Sequence, residues 1–260
     1  MTGIIGHPVR VQHHFTSTNF GMRQFPVGST ESQDYGEHIM GVTVMTWVSR
    51  YAVAEWGEEW ATQGALDLRF RSHLSAGLDL LIDVDTAPEE MTFAISDADG
   101  VVYATGTARR RGTLVPAVVD PTHTRGYKVP NTREALDGLV LTPIRFTFLS
   151  DRDLEMTPDM ADGSFWRDHR WAHPAWLGSA ANAIFRESVE FASPLQWHHA
   201  GIETTIHAAV ADGAEVVVAG RVVELFDTAR NQFAVSATEA TVNGEPVMSI
   251  RSTFVYLPLG

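Results

Sequence analysis

IMGVTVMTWVSRYAVAEW, residues 39–56, meets its first clear charges only at Arg50 and Glu55. A helix of that composition has no solvated stripe, so most of its faces must be covered, and a sheet has to wrap it. His38 opens this run, and His173 opens a second, PAWLGSAANAIFRESVEF at 174–191, a spacing of 173 − 38 = 135. The same interval relates Pro8-Val9-Arg10-Val11 to Pro143-Ile144-Arg145-Phe146 (143 − 8 = 135). Gly77 matches Gly213 at 136, and the turn Asp99-Gly100 matches Asn243-Gly244 at 144, the drift being absorbed by a longer second-half hairpin. The chain therefore carries an internal repeat, which fixes the organisation before any element is assigned.

Each half reads as a first strand, a loop, one long helix, and then strands separated by turn signals. ETTIHAAVA, EVVVAGRVVELF, QFAVSATEATV and PVMSIRSTFVYL are rich in β-branched residues and punctuated by DG, TARN and NG, as hairpin-linked strands are. LDLRFRSHL, LDLLIDVD, MTFAISD and VVYATGTA repeat the pattern in the first half. The expected class is α+β, with two antiparallel sheets each wrapped around a long central helix and paired as a pseudo-dimer. GTLVPAVVDPTHTRGYKVPN holds Pro116, Pro121 and Pro130 without periodicity, so residues 112–131 read as a crossover between modules at 1–111 and 132–260.

Composition narrows the function classes. Nineteen Lys plus Arg against 32 Asp plus Glu give a formal charge of −13, which repels nucleic acid and anionic membranes. The absence of cysteine removes thiol catalysis, thiolate metal sites and disulfides. No segment approaches the roughly 20 apolar residues of a membrane span, and the N-terminus lacks a cationic start with a sustained apolar run. A cytoplasmic protein without membrane or nucleic-acid partners is expected.

One helix wrapped by an antiparallel sheet, twice in tandem, resembles the double-hotdog architecture of the acyl-CoA thioesterases and the MaoC-like hydratases and dehydratases. That resemblance implies active sites between the modules, near the helix N-termini. In the hydroxybenzoyl-CoA thioesterase-like branch an Asp lies four residues before a His-Val-x-Asn helix start, with a Trp nine after the His. Here Asp34, His38-Ile39-Met40-Gly41 and Trp47 stand at those spacings, with Glu37 where Gly is usual and Gly41 where that family often has Asn. The chemistry suits such a place. Free amides at a helix N-terminus, from Met40 and Gly41, would hold a thioester oxygen as it becomes an oxyanion. Asp34 would activate water or attack the carbonyl itself, and His38 would shuttle the proton. Equally, an acidic residue and a histidine at a helix start serve as caps with no catalytic meaning.

A second constellation competes. Asp168, His173 and Ser179 stand at the spacing of the hydratase motif Asp-x-Asn-Pro-x-His followed six residues later by Ala or Ser, although Arg170-Trp171 replace the Asn-Pro. An acid and base there would straddle the double bond of an enoyl thioester.

Trp197, His198 and His199 follow the second helix, and Trp60 holds the comparable place in the first half (197 − 60 = 137). They either line an acyl pocket or pack a helix-to-strand junction. Adjacent histidines point apart in a strand, so no metal is expected. His13 and His14 lie in a first strand, one inward and one outward by alternation. Arg109-Arg110-Arg111 is the one dense basic run, either a dock for coenzyme A phosphates or a solvated linker end. The segment 162–176, with Trp166, Trp171 and Trp176, either lines a pocket for a large acyl group or seals the seam between halves.

The expectation is an enzyme hydrolysing an acyl-CoA-type thioester, with no cofactor beyond the coenzyme A of its substrate. The alternatives are a MaoC-like enoyl-CoA hydratase or 3-hydroxyacyl dehydratase, and a non-catalytic binder of hydrophobic ligands. Two modules satisfying each other's edges permit a monomer, and further homo-oligomerisation is equally open.

Overall fold

The structure is a computed structural model and describes residues 9–16, 39, 41–75, 77–114, 116–117, 119–154, 163–191 and 197–258, with backbone alone along 9–16 and at 163 and 258. In chain order the first half runs β1 (Val9–Thr16), α1 (Gly41–Gln63), β2 (Ala65–Phe70), β3 (Asp79–Thr86), β4 (Glu90–Asp97) and β5 (Val102–Arg109). Then come β6 (Val129–Pro130), α2 (Arg133–Leu136), β7 (Ile144–Thr147), α3 (Ser150–Asp153), α4 (Gly163–His169), α5 (Pro174–Ser188), β8 (Val189–Glu190), β9 (His198–Ile206), β10 (Glu215–Asp227), β11 (Asn231–Val242) and β12 (Glu245–Pro258).

Helix α1 is buried on every face from Val42 to Ser49, as its lack of early charge demands. Two of its buried hydroxyls bond back into the helix: Thr46 Oγ1 donates to Thr43 O (2.7 Å) and Ser49 Oγ to Met45 O (2.6 Å). The helix outruns the expected end at Trp56. Gly57, at φ 56 and ψ −135, kinks it, and a last turn carries the fully buried Trp60. Helix α5 begins with Pro174 after an N-cap at His173, whose Nδ1 accepts from Ala175 N (3.0 Å). The two helices touch at Gly178, where a Cβ would stand 3.2 Å from Met45 Sδ and 3.6 Å from Val42 Cγ1.

Among the described residues the long strands form one ten-stranded sheet in the order β1-β3-β4-β5-β2-β9-β12-β11-β10-β7, antiparallel throughout. The order is a palindrome: each half contributes the same five-strand pattern, and the halves meet at β2 and β9. Equivalent turns share a conformation too. Gly77 and Gly213 have φ 84 and 80, and the Asn243-Gly244 hairpin has φ 52 and 85, the type I′ geometry its residues favour. At the seam Ala65 opposes Thr205, Leu66 Thr204, Asp67 Glu203, Leu68 Ile202 and Arg69 Gly201. A twofold-like axis therefore passes between Asp67 and Glu203, two carboxylates on the outer face. Arg69 bridges them, 2.7 Å from Glu203 Oε1 and 3.5 Å from Asp67 Oδ1.

The crossover lies over the outer face of the second half. Leu114 N donates to Thr205 Oγ1 (3.2 Å) and Ala117 N to Glu239 Oε1 (2.6 Å). Beneath it Ser249 Oγ donates to the buried Glu239 (2.8 Å) and lies 2.7 Å from His207 Nε2. No described helix is long and apolar enough to cross a membrane.

Candidate active site at the helix amino ends

The repeat presents two equivalent places, the amino ends of α1 and α5, and they are built differently. Asp34, His38 and Met40 lie outside the described residues. What is described of the α1 end begins at Ile39, whose N–H donates to Leu74 O (2.9 Å), and continues at Gly41. A Cβ on Gly41 would stand 2.6 Å from Phe70 Cζ and 2.9 Å from His199 Nδ1, so the close approach of those rings requires glycine. No acidic residue occupies the first turn of either α1 or α5, so neither helix neutralises its positive end within that turn.

His199 reaches this place through an irregularity in β9. Ile202 faces α5, whereas Glu203 and Thr205 face outward, to Arg69 and the crossover. Strict alternation would send His199 outward with Gly201. Instead the ladder slips by one: Thr253 opposes Gly201, Phe254 opposes His199, and Ala200 is left over. That bulge turns His199 inward. Its ring stacks on buried Phe254 (5.2 Å, 26°) and tilts against Phe70 (5.3 Å, 47°). The residue keeps some exposure, but both ring nitrogens are buried, and among the described residues neither has a well-formed hydrogen bond. Burial pushes its pKa down to about 3, against a small opposing pull from the Gly201 backbone, so the imidazole is neutral at physiological pH.

Trp197 sits beside it, against Phe254 at 5.4 Å, and His198 is exposed at the rim, edge-on to His73 at 6.3 Å. Trp47 is buried within α1.

The α5 end is filled. Trp176 stands 135 residues after Gly41 and packs edge-on to Phe146 (4.6 Å) and Phe148 (5.1 Å). Buried Trp166 lies edge-on to His173 at 4.8 Å. The His173 side chain caps α5, and burial alone lowers its pKa to about 3. Asp168 is exposed on α4, and no hydrogen bond or ion pair joins it to His173. The structure does not assemble the acid and base of a hydratase from these two. Ser179 is half-buried on α5. The tryptophan-rich segment, where described, serves as packing over this helix end. It also ties the halves, because His169, held between Phe165 (4.3 Å) and Trp171 (4.7 Å), reaches Glu58 of α1 at 3.1 Å.

The arginine run is engaged by carboxylates. Arg109 pairs with Glu90 (2.8 Å), Arg110 with Glu59 (2.5 Å) and Glu89 (3.2 Å), and Arg111 with Glu59 (3.0 Å). Hydrogen bonds from Arg110 and then Arg111 hold Glu59 below its ordinary pKa. Glu59 is 59 − 41 = 18 residues beyond Gly41, or about 27 Å along a helix. The run thus belongs to the far end of α1. Among the described residues no three His, Asp or Glu side chains gather as metal ligands.

Sequence reasoning named His199 only beside Trp197 and His198, as lining a pocket or packing a junction, and did not bring it to the amino end of α1. The available signal was Ala200-Gly201 inside a strand pattern, since glycine there marks a bulge.

No family model and no curated protein matches this sequence. The fold is shared with solved structures. One is a monomeric dehydratase domain from a trans AT polyketide synthase split module, 9% identical over 97% of this chain and 100% of that one, TM-score 0.56. Another is a MaoC-like dehydratase, 14% identical over 83% and 82%, TM-score 0.53. A third is an acyl-ACP thioesterase from Bacteroides thetaiotaomicron, 12% identical over 94% and 97%, TM-score 0.52.

Proposed function

We propose, taking the double-hotdog fold of this chain as premise, that the protein hydrolyses an acyl thioester at the amino end of α1. The observation that carries the reading is the contrast between the two helix ends. Gly41 sets no side chain over the first, where Phe70 and His199 approach its backbone, while Trp176 fills the second. Both thioesterases and dehydratases occur on this fold, so the choice between them rests on the site. His173 already caps its helix and Asp168 is exposed, which disfavours hydration at the second end.

In the proposed reaction the free amides of the first turn of α1, from Met40 onward, bind the carbonyl oxygen. Asp34 takes a proton from water, with His38 as its partner, and the water oxygen adds to the carbonyl carbon. Collapse of the tetrahedral intermediate breaks the carbon–sulfur bond and the proton passes to the leaving thiolate. Coenzyme A enters only as part of the substrate, a carrier protein being the other source of the thioester, and no metal or redox group takes part.

The test is incubation with saturated, aromatic and enoyl coenzyme A esters, following free thiol and 3-hydroxyacyl product by mass spectrometry. Thiol release lost in Asp34→Ala and kept in Asp168→Ala is the expected result. Hydration lost only in Asp168→Ala would transfer the reaction to the second helix end, and ligand binding without turnover would make the protein a binder.

A further inference from the structure

Within the hydrolase reading, on which this rests, we infer that the imidazole of His199, carried by the second half of the chain, donates a hydrogen bond to the carbonyl oxygen of a thioester bound at the amino end of α1 in the first half. Placement comes first. Nδ1 lies 2.9 Å from where a side chain at Gly41 would begin, so an imidazole from β9 takes the space that residue 41 leaves vacant. Orientation is fixed by Phe254 and Phe70 on its two sides, so the ring plane costs little to organise when a ligand arrives. Among the described residues neither buried ring nitrogen has a hydrogen bond of good geometry, and the one pull on the ring, from the Gly201 backbone, is weak. The ring is there only because of the unpaired Ala200, and bulges recur where a strand must re-aim a side chain at a site.

The chemistry favours a donor over a base. An imidazole that resists protonation takes a proton from water poorly, but its single N–H, held in this fold only by the weak pull of the Gly201 backbone, is a donor whose ring stays neutral as charge develops on the oxygen. His199 keeps its proton through addition and collapse. Water oxygen bonds to carbon, the electron pair of the carbonyl moves onto the oxygen facing His199 and the α1 amides, and its return expels the thiolate.

Steady-state hydrolysis by wild type, His199→Leu and His199→Gln tests the role, with thermal midpoints recorded for all three. Expected for His199→Leu is a fall in kcat of about 10²-fold or more, with KM little changed, as for loss of one oxyanion donor. His199→Gln, which retains an N–H, recovers part of that loss, and the shape of the pH profile is unchanged in both. A ring that served only for packing would move the thermal midpoint without this split between kcat and KM and without rescue. Should the variants unfold, ring ¹⁵N shifts of His199 in wild type, with a ketone analogue of octanoyl-coenzyme A in place of the ester, give the answer. A shift of its ring nitrogens at saturation supports the contact, and none overturns it. Full activity in His199→Leu overturns the inference alone, whereas a wild type that releases no thiol from any ester overturns the hydrolase reading and this one with it.

Discussion

Gly41 and Trp176 hold the same place in the two central helices, 176 − 41 = 135 residues apart, and where one has no side chain and is approached by Phe70 and His199, the other packs its own indole on Phe146 and Phe148. Gly41→Ala would press a methyl group against Phe70 and His199. The expected cost is about 1–3 kcal/mol of stability, as for overpacking elsewhere, together with loss of hydrolysis. Trp176→Ala should cost about 3–5 kcal/mol and leave the chemistry at α1 in place wherever the fold persists. Urea titration beside thiol release separates the two; a Gly41→Ala variant as stable and active as wild type would refute the close approach.

Arg69 is the cation between two facing acids. Burial, and to a lesser degree Glu203, raise the pKa of Asp67, while Arg69 pulls it down. Arg69→Met leaves like charges directly opposite, worth about 0.2–1 kcal/mol. A carboxyl with a raised folded pKa gains stability as it protonates, so the deficit is largest at neutral pH and shrinks on acidification through the carboxylate range. Denaturant midpoints of both proteins at pH 7 and pH 5 measure it; an equal deficit at the two values would count against the arrangement.

Arg110 is held by Glu59 and Glu89 and lies far along α1 from Gly41. Arg110→Gln is expected to lower the thermal midpoint slightly, by an amount that fades with added salt, and to leave KM for a coenzyme A ester unchanged. A rise in KM for that ester, absent with the matching N-acetylcysteamine ester, would instead restore the arginines as a phosphate dock.

His173 and His199 both protonate near 3 in the fold, against an ordinary value of 6.5. The unfolded chain therefore binds more protons between those values. Stability that is complete above pH 6.5 is lost as pH falls towards 3, at up to about 1.4 kcal/mol per pH unit for each residue. His173→Asn keeps a side-chain cap for α5 and removes one of the two protons. Midpoints measured at pH 7, 6 and 5 should decline less steeply in that variant, and an identical slope would show that His173 is not buried neutral.

The overall plan was legible because it rests on period and count. The helix that meets no charge before Arg50, the interval of 135, and turn pairs such as Asn243-Gly244 are local signals, and local signals suffice for hairpins and a repeat. What stayed hidden depends on partners remote in sequence. Nothing near Arg110 announces Glu59, 51 positions back, and nothing near Trp176 announces Phe146 and Phe148. The facing of His199 is harder still, because alternation read from Ile202 backward gives the wrong side once Ala200 drops out of the ladder. The kink at Gly57 likewise let α1 run past Trp56, since Trp60 found cover that composition alone does not reveal.

Joining the halves in one polypeptide also frees them from having to be alike. In an assembly of two identical chains paired at this strand, an arginine beside the axis would arrive with its mirror copy, two cations for two acids. Here the place matching Arg69 is Thr205 (205 − 69 = 136), which instead receives the crossover through Leu114. Covalent fusion turns a symmetric contact into a division of labour, one strand supplying the charge and the other anchoring the tether.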